Sequence, residues 1–264
     1  MNDPPSLRAL PTTALTEQRL SQGELHICPN SDVLWEDLAR ETEKFKVLAI
    51  GGLGYVYQYK DFAYKQNCFQ REFDMMKMAG DCAVKAIARV IKMRDGWPVM
   101  TGLLMELETP FDVKSVQESE REAIMGEMID LVSRLHQECR IVHGDVKPAN
   151  MLRCRDGKLR FCDFDSARPL DEDPQAWEGM CTDQYLAPNR DYFWSGSAPT
   201  PSDDLYALGL SLWELYTGKE VLSDELHNME EVLKERRTVD LMEVEDTEAR
   251  SIIRAFLRQG GALV

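Results

Sequence analysis

An α+β chain in two parts is what the sequence predicts: a sheet carrying one helix comes first, then a mostly helical part, with a cleft where the two meet. Three features predict it. From Lys46 to Leu107 apolar residues alternate with a period of two, interrupted by glycine turns and one helical stretch. From Val113 onward the period lengthens and helices dominate. Between the first two of those helices lies 141-IVHGDVKPANMLRCRDGKLRFCDFDSA-167, where Asp145 and Asp163 sit in short apolar frames. A buried carboxylate is costly unless something pairs with it, so these two mark candidate chemistry.

The elements follow in order. Residues 1–22, rich in Pro, Ser and Thr and without periodicity, read as a flexible arm, and 23–264 as the folded domain. After the apolar piece 25-LHIC-28, the stretch 31-SDVLWEDLARETEKF-45 predicts an amphipathic helix, capped by Ser31 or Asp32, with Leu34, Leu38 and Phe45 inward. Residues 46–66 predict three strands, joined by the glycine turn at 51–54 and a tight turn at Lys60-Asp61. A helix over 69–80 closes at Gly80, and strands over 83–94 and 97–107 flank an Asp95-Gly96 hairpin turn. Later helices are predicted over 117–139, 203–217 and 245–258, which puts the first lobe at about 23–106 and the second at about 109–264.

Composition narrows the function. The chain has 264 residues and a formal net charge of −15, with no Lys/Arg cluster of the kind a nucleic-acid binder shows. Its acidity suits a cationic partner or simple solubility. Seven dispersed cysteines without a CxxC pair read as reduced thiols, and neither a signal pattern nor a membrane-length apolar run is seen. The expectation is a cytoplasmic protein, with the nucleus possible, that uses neither membrane nor nucleic acid.

Several side chains could carry chemistry. Gly51, Gly52 and Gly54 in 51-GGLGYV-56 could lay a flap of N–H groups over phosphate, or simply make a hairpin turn. Lys65, on the third strand, could grip phosphate or snorkel to solvent; Glu72 on the next helix could pair with it or sit exposed. In 143-HGDVKPAN-150, Asp145, Lys147 and Asn150 share one tight rim. A carboxylate there can accept a hydroxyl proton, an ammonium can offset phosphoryl charge, and an amide oxygen can reach a hard cation. Asp163 would supply a second oxygen, and Mg²⁺ asks for only one or two carboxylates besides substrate phosphates. The bland alternative is two ordinary Asp-containing turns.

From about Lys46 to Gly218 these motifs resemble the eukaryotic protein-kinase family. The resemblance implies the bilobal kinase fold, its first lobe an antiparallel sheet with one helix and its second lobe helical and abbreviated. It implies ATP and Mg²⁺ as cofactors and a protein substrate. In 49-AIGGLGYV-56, Ala49 replaces the first loop glycine, while Gly51 and Gly54 are kept, with Gly52 between them and Val56 following over the ATP site. Lys65 resembles the lysine that holds the α- and β-phosphates and Glu72 its partner. Asp145 stands as catalytic base, Lys147 as phosphate-neutralising lysine, and Asn150 and Asp163 as metal ligands. In 104-LMELE-108, Met105 resembles the gatekeeper, and the backbones of Glu106 and Glu108 the adenine partners. Asp204, in 203-DDLYALG-209, resembles the aspartate that anchors the catalytic loop, and 181-CTDQYLAPN-189 the end of the activation segment.

Departures sharpen the reading. Gly144 stands where many members carry an Arg that pairs with an activation-loop phosphate, which implies activity without that phosphate. Within 165–188 only Ser166 and Thr182 offer Ser or Thr hydroxyls. Asp165 replaces the glycine after Asp-Phe, Asn189 replaces a buried glutamate, and only residues 66–71 separate Lys65 from Glu72. Lys147, two places after Asp145, is typical of Ser/Thr-directed members. The alternatives are a small-molecule kinase of the aminoglycoside or choline type, and an ATP-binding pseudokinase or scaffold. His136 reads as a packed helix-end histidine, and His143 as a brace of the catalytic loop. Trp35, Trp177, Trp194 and Trp213 read as packing, and 171-DED-173 as a solvated loop.

Overall fold

The computed structural model describes residues 25, 27–51, 54–173, 181–190 and 197–264. The predicted arm lies outside these residues, as do Gly52, Trp177 and Trp194. The first part is a six-stranded sheet of β1 (Ser31–Leu34), β2 (Lys46–Ile50), β3 (Tyr55–Tyr59), β4 (Phe62–Gln66), β5 (Ala86–Arg94) and β6 (Trp97–Glu106). The spatial order is β1-β5-β6-β4-β3-β2, antiparallel except for the β1–β5 pair. At the β5–β6 turn Asp95 and Gly96 both have positive φ, 51° and 83°, which suits the tight hairpin that Asp-Gly predicts.

The helix expected over 31–45 is corrected. Ser31–Leu34 is a strand, followed by one helical turn, α1 (Trp35–Leu38), and a 3₁₀ segment, Ala39–Lys44. The reason is tertiary. Ser31–Leu34 pairs in parallel with Ala88–Ile91, and Asp32 makes a two-pronged bond to Arg89, at 2.7 and 2.8 Å. A helix there would leave the edge of β5 unpaired. Leu38 is fully buried, joining Val33, Tyr59, Tyr64, Ile87, Val90 and Leu104 in a core on one side of the sheet, with Phe45 packed against it.

The helix α2 (Gln70–Ala79) covers the other side. It buries Glu72, Met75, Met76 and Ala79, one stripe of a 3.6-residue period, so Glu72 lies on its inward face. The second part holds α3 (Arg121–Gln137), α4 (Pro201–Thr217), α5 (Met229–Lys234) and α6 (Thr247–Gln259). Helix α4 is buried almost along its whole length; a capping box of Thr200 and Asp203 starts it and Gly218, at φ 67°, ends it. Short strands complete this part: β7 (Thr109–Pro110) precedes α3, and β8 (Ile141–Val142), β9 (Met151–Arg153), β10 (Leu159–Phe161) and β11 (Arg168–Pro169) follow it; β8 pairs with β11, and β9 lies between β10 and β7. One core runs through both parts, from Met75, Met76, Leu103 and Met105 to Met128, Leu131, Phe161, Phe164 and Leu208. No helix of the described residues is long and apolar enough to cross a membrane.

Candidate active site

The buried strand β8 delivers the chain to His143, which is also fully buried. The N–H groups of His143 and Gly144 donate to the two carboxylate oxygens of Asp204, each at 2.8 Å. Asp204 sits in the first turn of α4, where the helix dipole favours a negative charge. His136 Nε2 lies 2.8 Å from the same carboxylate. The His143 ring packs on Phe161 and Phe164. Its Nδ1 accepts from the Asp145 N–H at 3.3 Å, so Nε2 carries the proton and faces the Cys162 carbonyl at 3.2 Å. Burial holds this imidazole below its ordinary pKa, in keeping with a neutral brace. Exchanging Asp204 for asparagine leaves one oxygen where two buried N–H groups need one each. The unfolding free energy should fall by about 2 kcal/mol in urea titration, and a fall below about 0.5 kcal/mol would refute this anchoring.

Asp145 is 9% exposed, and both its oxygens are engaged. Oδ1 accepts from the Thr182 N–H at 3.1 Å; Oδ2 accepts from Lys147 Nζ at 2.7 Å and Asn150 Nδ2 at 2.8 Å. Lys147 Nζ also donates to the Thr182 hydroxyl. Asn150 Nδ2 donates in addition to the Asp145 carbonyl at 2.9 Å, so its amide nitrogen is doubly used and its Oδ1 is the atom left to offer. The Asn150 carbonyl accepts from Cys162 N–H at 2.9 Å, which ties this turn to the one bearing Asp163.

Asp163 has φ 62°, unusual for a non-glycine residue and the kind of strained backbone that collects at functional sites. Its Oδ1 accepts from Lys65 Nζ at 2.7 Å, and the same ammonium donates to Glu72 Oε1 at 2.6 Å. The short connection accommodates this: Asn67, at φ 53°, turns the chain sharply, and Phe69 stands extended at the N-cap just before α2. The other Glu72 oxygen accepts from the Cys68 thiol at 3.0 Å. Burial opposes the Lys65 charge, but the Glu72 and Asp163 carboxylates outweigh it and hold the ammonium above its ordinary pKa. Burial pushes Asp163 up, and Lys65 more than reverses this, leaving it below the usual carboxylate range. Burial pushes Glu72 up, against the pull of Lys65.

The remaining predicted positions fall around this centre. Val56 pairs with Lys65 across β3 and β4. Gly51 and Gly54 close on each other, with N–H···O distances of 2.8 and 3.4 Å, so those two N–H groups are not free donors. Met105 is buried at the end of β6. The Glu106 N–H donates to the Lys85 carbonyl at 3.0 Å. The Glu108 carboxylate accepts from Arg155 N–H at 3.1 Å.

A family model described as the protein kinase domain matches residues 51–259. The chain belongs to the protein kinase domain family. Over 85 residues it is 41% identical to the dual specificity mitogen-activated protein kinase kinase mek-2 of Caenorhabditis elegans, covering 32% of this chain and 21% of that protein. Over 136 residues it is 29% identical to the serine/threonine-protein kinase AtPK1/AtPK6 of Arabidopsis thaliana, covering 51% and 28%. Over 125 residues it is 30% identical to the serine/threonine-protein kinase PknA of Mycobacterium tuberculosis, covering 44% and 28%. The matches therefore span less than a third of each of these relatives.

Within this kinase domain the departures find physical reasons. Gly144 has φ 80°, and a Cβ there would sit 2.7 Å from the Ser166 carbonyl oxygen, so the backbone excludes an Arg in this geometry. Asn189 is exposed; its N–H donates to the Gly260 carbonyl at 3.1 Å, and a Cβ on Gly261 would meet Asn189 Cβ at 3.1 Å. Gly260 and Gly261 thus pack directly against Asn189. Asp165 is half-buried, and desolvation raises its carboxyl above the usual range. Two contacts escaped the sequence reading. His136 is a partner of Asp204 rather than mere packing. Thr182 touches both Asp145 and Lys147, partners 37 and 35 residues away that no local spacing reveals.

Proposed function

We propose that this kinase domain transfers the γ-phosphoryl group of ATP to Ser or Thr hydroxyls of a protein. The observations that carry the reading are a Lys65 ammonium held by Glu72 and Asp163, an Asp145 carboxylate held by Thr182, Lys147 and Asn150, and the bond from Cys162 N–H to the Asn150 carbonyl that ties the two turns together. Phosphoryl transfer needs positioning and charge stabilisation more than covalent help, and these are what such a set supplies. Lys65 would hold the α- and β-phosphates, and Lys147 would offset charge on the moving group. Asp145 would orient the acceptor hydroxyl and take its proton.

Asn150 and Asp163 fit Mg²⁺: the amide oxygen of Asn150 is unused, and one Asp163 oxygen is left by Lys65 while 41% of that side chain is exposed. When bound, the cation neutralises charge on the β- and γ-phosphates.

Independence from activation-loop phosphorylation is part of the proposal. Ser166 is 2% exposed, and the Thr182 hydroxyl is engaged by Lys147. The seven thiols, all free, support a cytoplasmic or nuclear setting. The test is phosphate incorporation from radiolabelled ATP with Mg²⁺, using Ser, Thr and Tyr peptide pools and an aminoglycoside panel. Labelled Ser/Thr peptides are expected. Label confined to aminoglycosides would replace the protein substrate with a small molecule, label on tyrosine as well would make the enzyme dual-specific, and ATP binding without label would mark a pseudokinase.

A further inference from the structure

We propose that Arg71 and Glu172 form a permanent clamp that positions Glu72 for Lys65, standing where a regulatory phosphate is not needed. The inference rests on the phosphoryl-transfer reading above.

Arg71 precedes Glu72 in the first turn of α2, and successive helical residues point about 100° apart. Glu72 therefore faces the core while Arg71 faces the chain that follows Asp163. There the Arg71 guanidinium grips Glu172 as a fork: Nη1 donates to Oε1 at 2.8 Å and Nη2 to Oε2, while Nη2 also reaches the Ala167 carbonyl at 3.4 Å. Two parallel N–H···O bonds fix direction as well as distance.

The carboxylate end is itself anchored. The Glu172 N–H donates to the Pro169 carbonyl at 3.2 Å, and the Glu172 carbonyl accepts from Arg168 Nη1 at 2.9 Å. Arg168 is 5% exposed and donates from Nε to the Pro199 carbonyl at 2.9 Å. Arg168 and Pro169 pair with Val142 and Ile141, the strand that enters His143 and Asp145. A continuous set of bonds thus runs from the Asp145 loop through Glu172 and Arg71 to the turn that presents Glu72. Hydrogen bonding from Arg71 keeps the Glu172 carboxyl below its usual range, so the negative charge is present at neutral pH.

The pair is partly exposed, with side chains 37% and 23% accessible, so its contribution to global stability is small; its effect lies in where the helix sits. Three variants test it: Glu172→Gln, Arg71→Gln, and the double exchange Arg71→Glu with Glu172→Arg. Each single variant should lower kcat about five-fold at saturating ATP and peptide, with peptide KM little changed, and the double exchange should recover most of the loss.

A second readout does not depend on turnover: hydrogen exchange of the amides of Gln70–Ala79 should quicken in Glu172→Gln and slow again in the double exchange. Single variants that keep both kcat and amide protection overturn the clamp, as does a double exchange no better than the worse single variant in both readouts. A wild-type protein that transfers no phosphate counts against the proposed function instead, and the exchange rates alone then decide the clamp.

Discussion

An Asp145→Asn enzyme should bind ATP like the wild type and transfer phosphate about a thousand-fold more slowly. The substitution keeps shape and removes the carboxylate proposed to accept the proton. It also inverts one hydrogen bond, because Oδ2 now accepts from both Lys147 and Asn150, and an amide nitrogen turned toward them would set donor against donor. An amide oxygen turned that way instead leaves the Thr182 N–H, now on Oδ1, without an acceptor. Either rotamer misplaces a group beside the acceptor hydroxyl. The loss should fall on kcat, with KM for ATP little moved, since Lys65, Glu72 and Asp163 are untouched. Single-turnover kinetics together with nucleotide calorimetry check it. Full turnover in Asp145→Asn would remove the base from the mechanism. An unchanged, near-zero rate in both proteins, with ATP still bound, would favour the scaffold reading.

Legibility in the sequence followed chain distance. Asp145, Lys147 and Asn150 lie within six positions, and a tight turn can place them on one rim in few ways, so their grouping was readable from spacing. Asp163 was readable because the apolar frame before it marks a strand end. The Lys65–Glu72 pair was readable by type despite the short connection, and the sharp turn between them falls at Asn67, a residue type that tolerates the positive φ found there. The strand at Ser31–Leu34 was misread because its local apolar spacing fits a helix; the open edge of β5, more than fifty residues away, decided otherwise. Arg71 and Glu172 were invisible for the same reason. Each is an ordinary surface charge in its own neighbourhood, and 101 residues of chain separate them.

Gly144→Ala should cost about 3 kcal/mol of unfolding free energy, far more than a surface alanine. Two terms contribute. A non-glycine residue held in the left-handed region costs about 1–2 kcal/mol. At φ 80° the new Cβ would also sit 2.7 Å from the Ser166 carbonyl oxygen and 2.9 Å from Pro199 Cγ, and relieving such overlap costs a further 1–3 kcal/mol, roughly. Neither neighbour yields easily: one is backbone, and Pro199 accepts through its carbonyl from the buried Arg168. Gly96 separates the two terms, because its φ is 83° and a Cβ there would meet nothing within 4 Å. Gly96→Ala should therefore show the backbone term alone, about 1–2 kcal/mol. The gap between the two variants in urea titration measures the contact with Ser166, and equal losses would show that no such contact exists. The same geometry bears on regulation: an Arg introduced at 144 would have to move the Ser166 backbone before it could reach any phosphate. Gly144→Arg is accordingly expected to lose stability at least as severely as Gly144→Ala, and to gain no dependence on activation-segment phosphorylation.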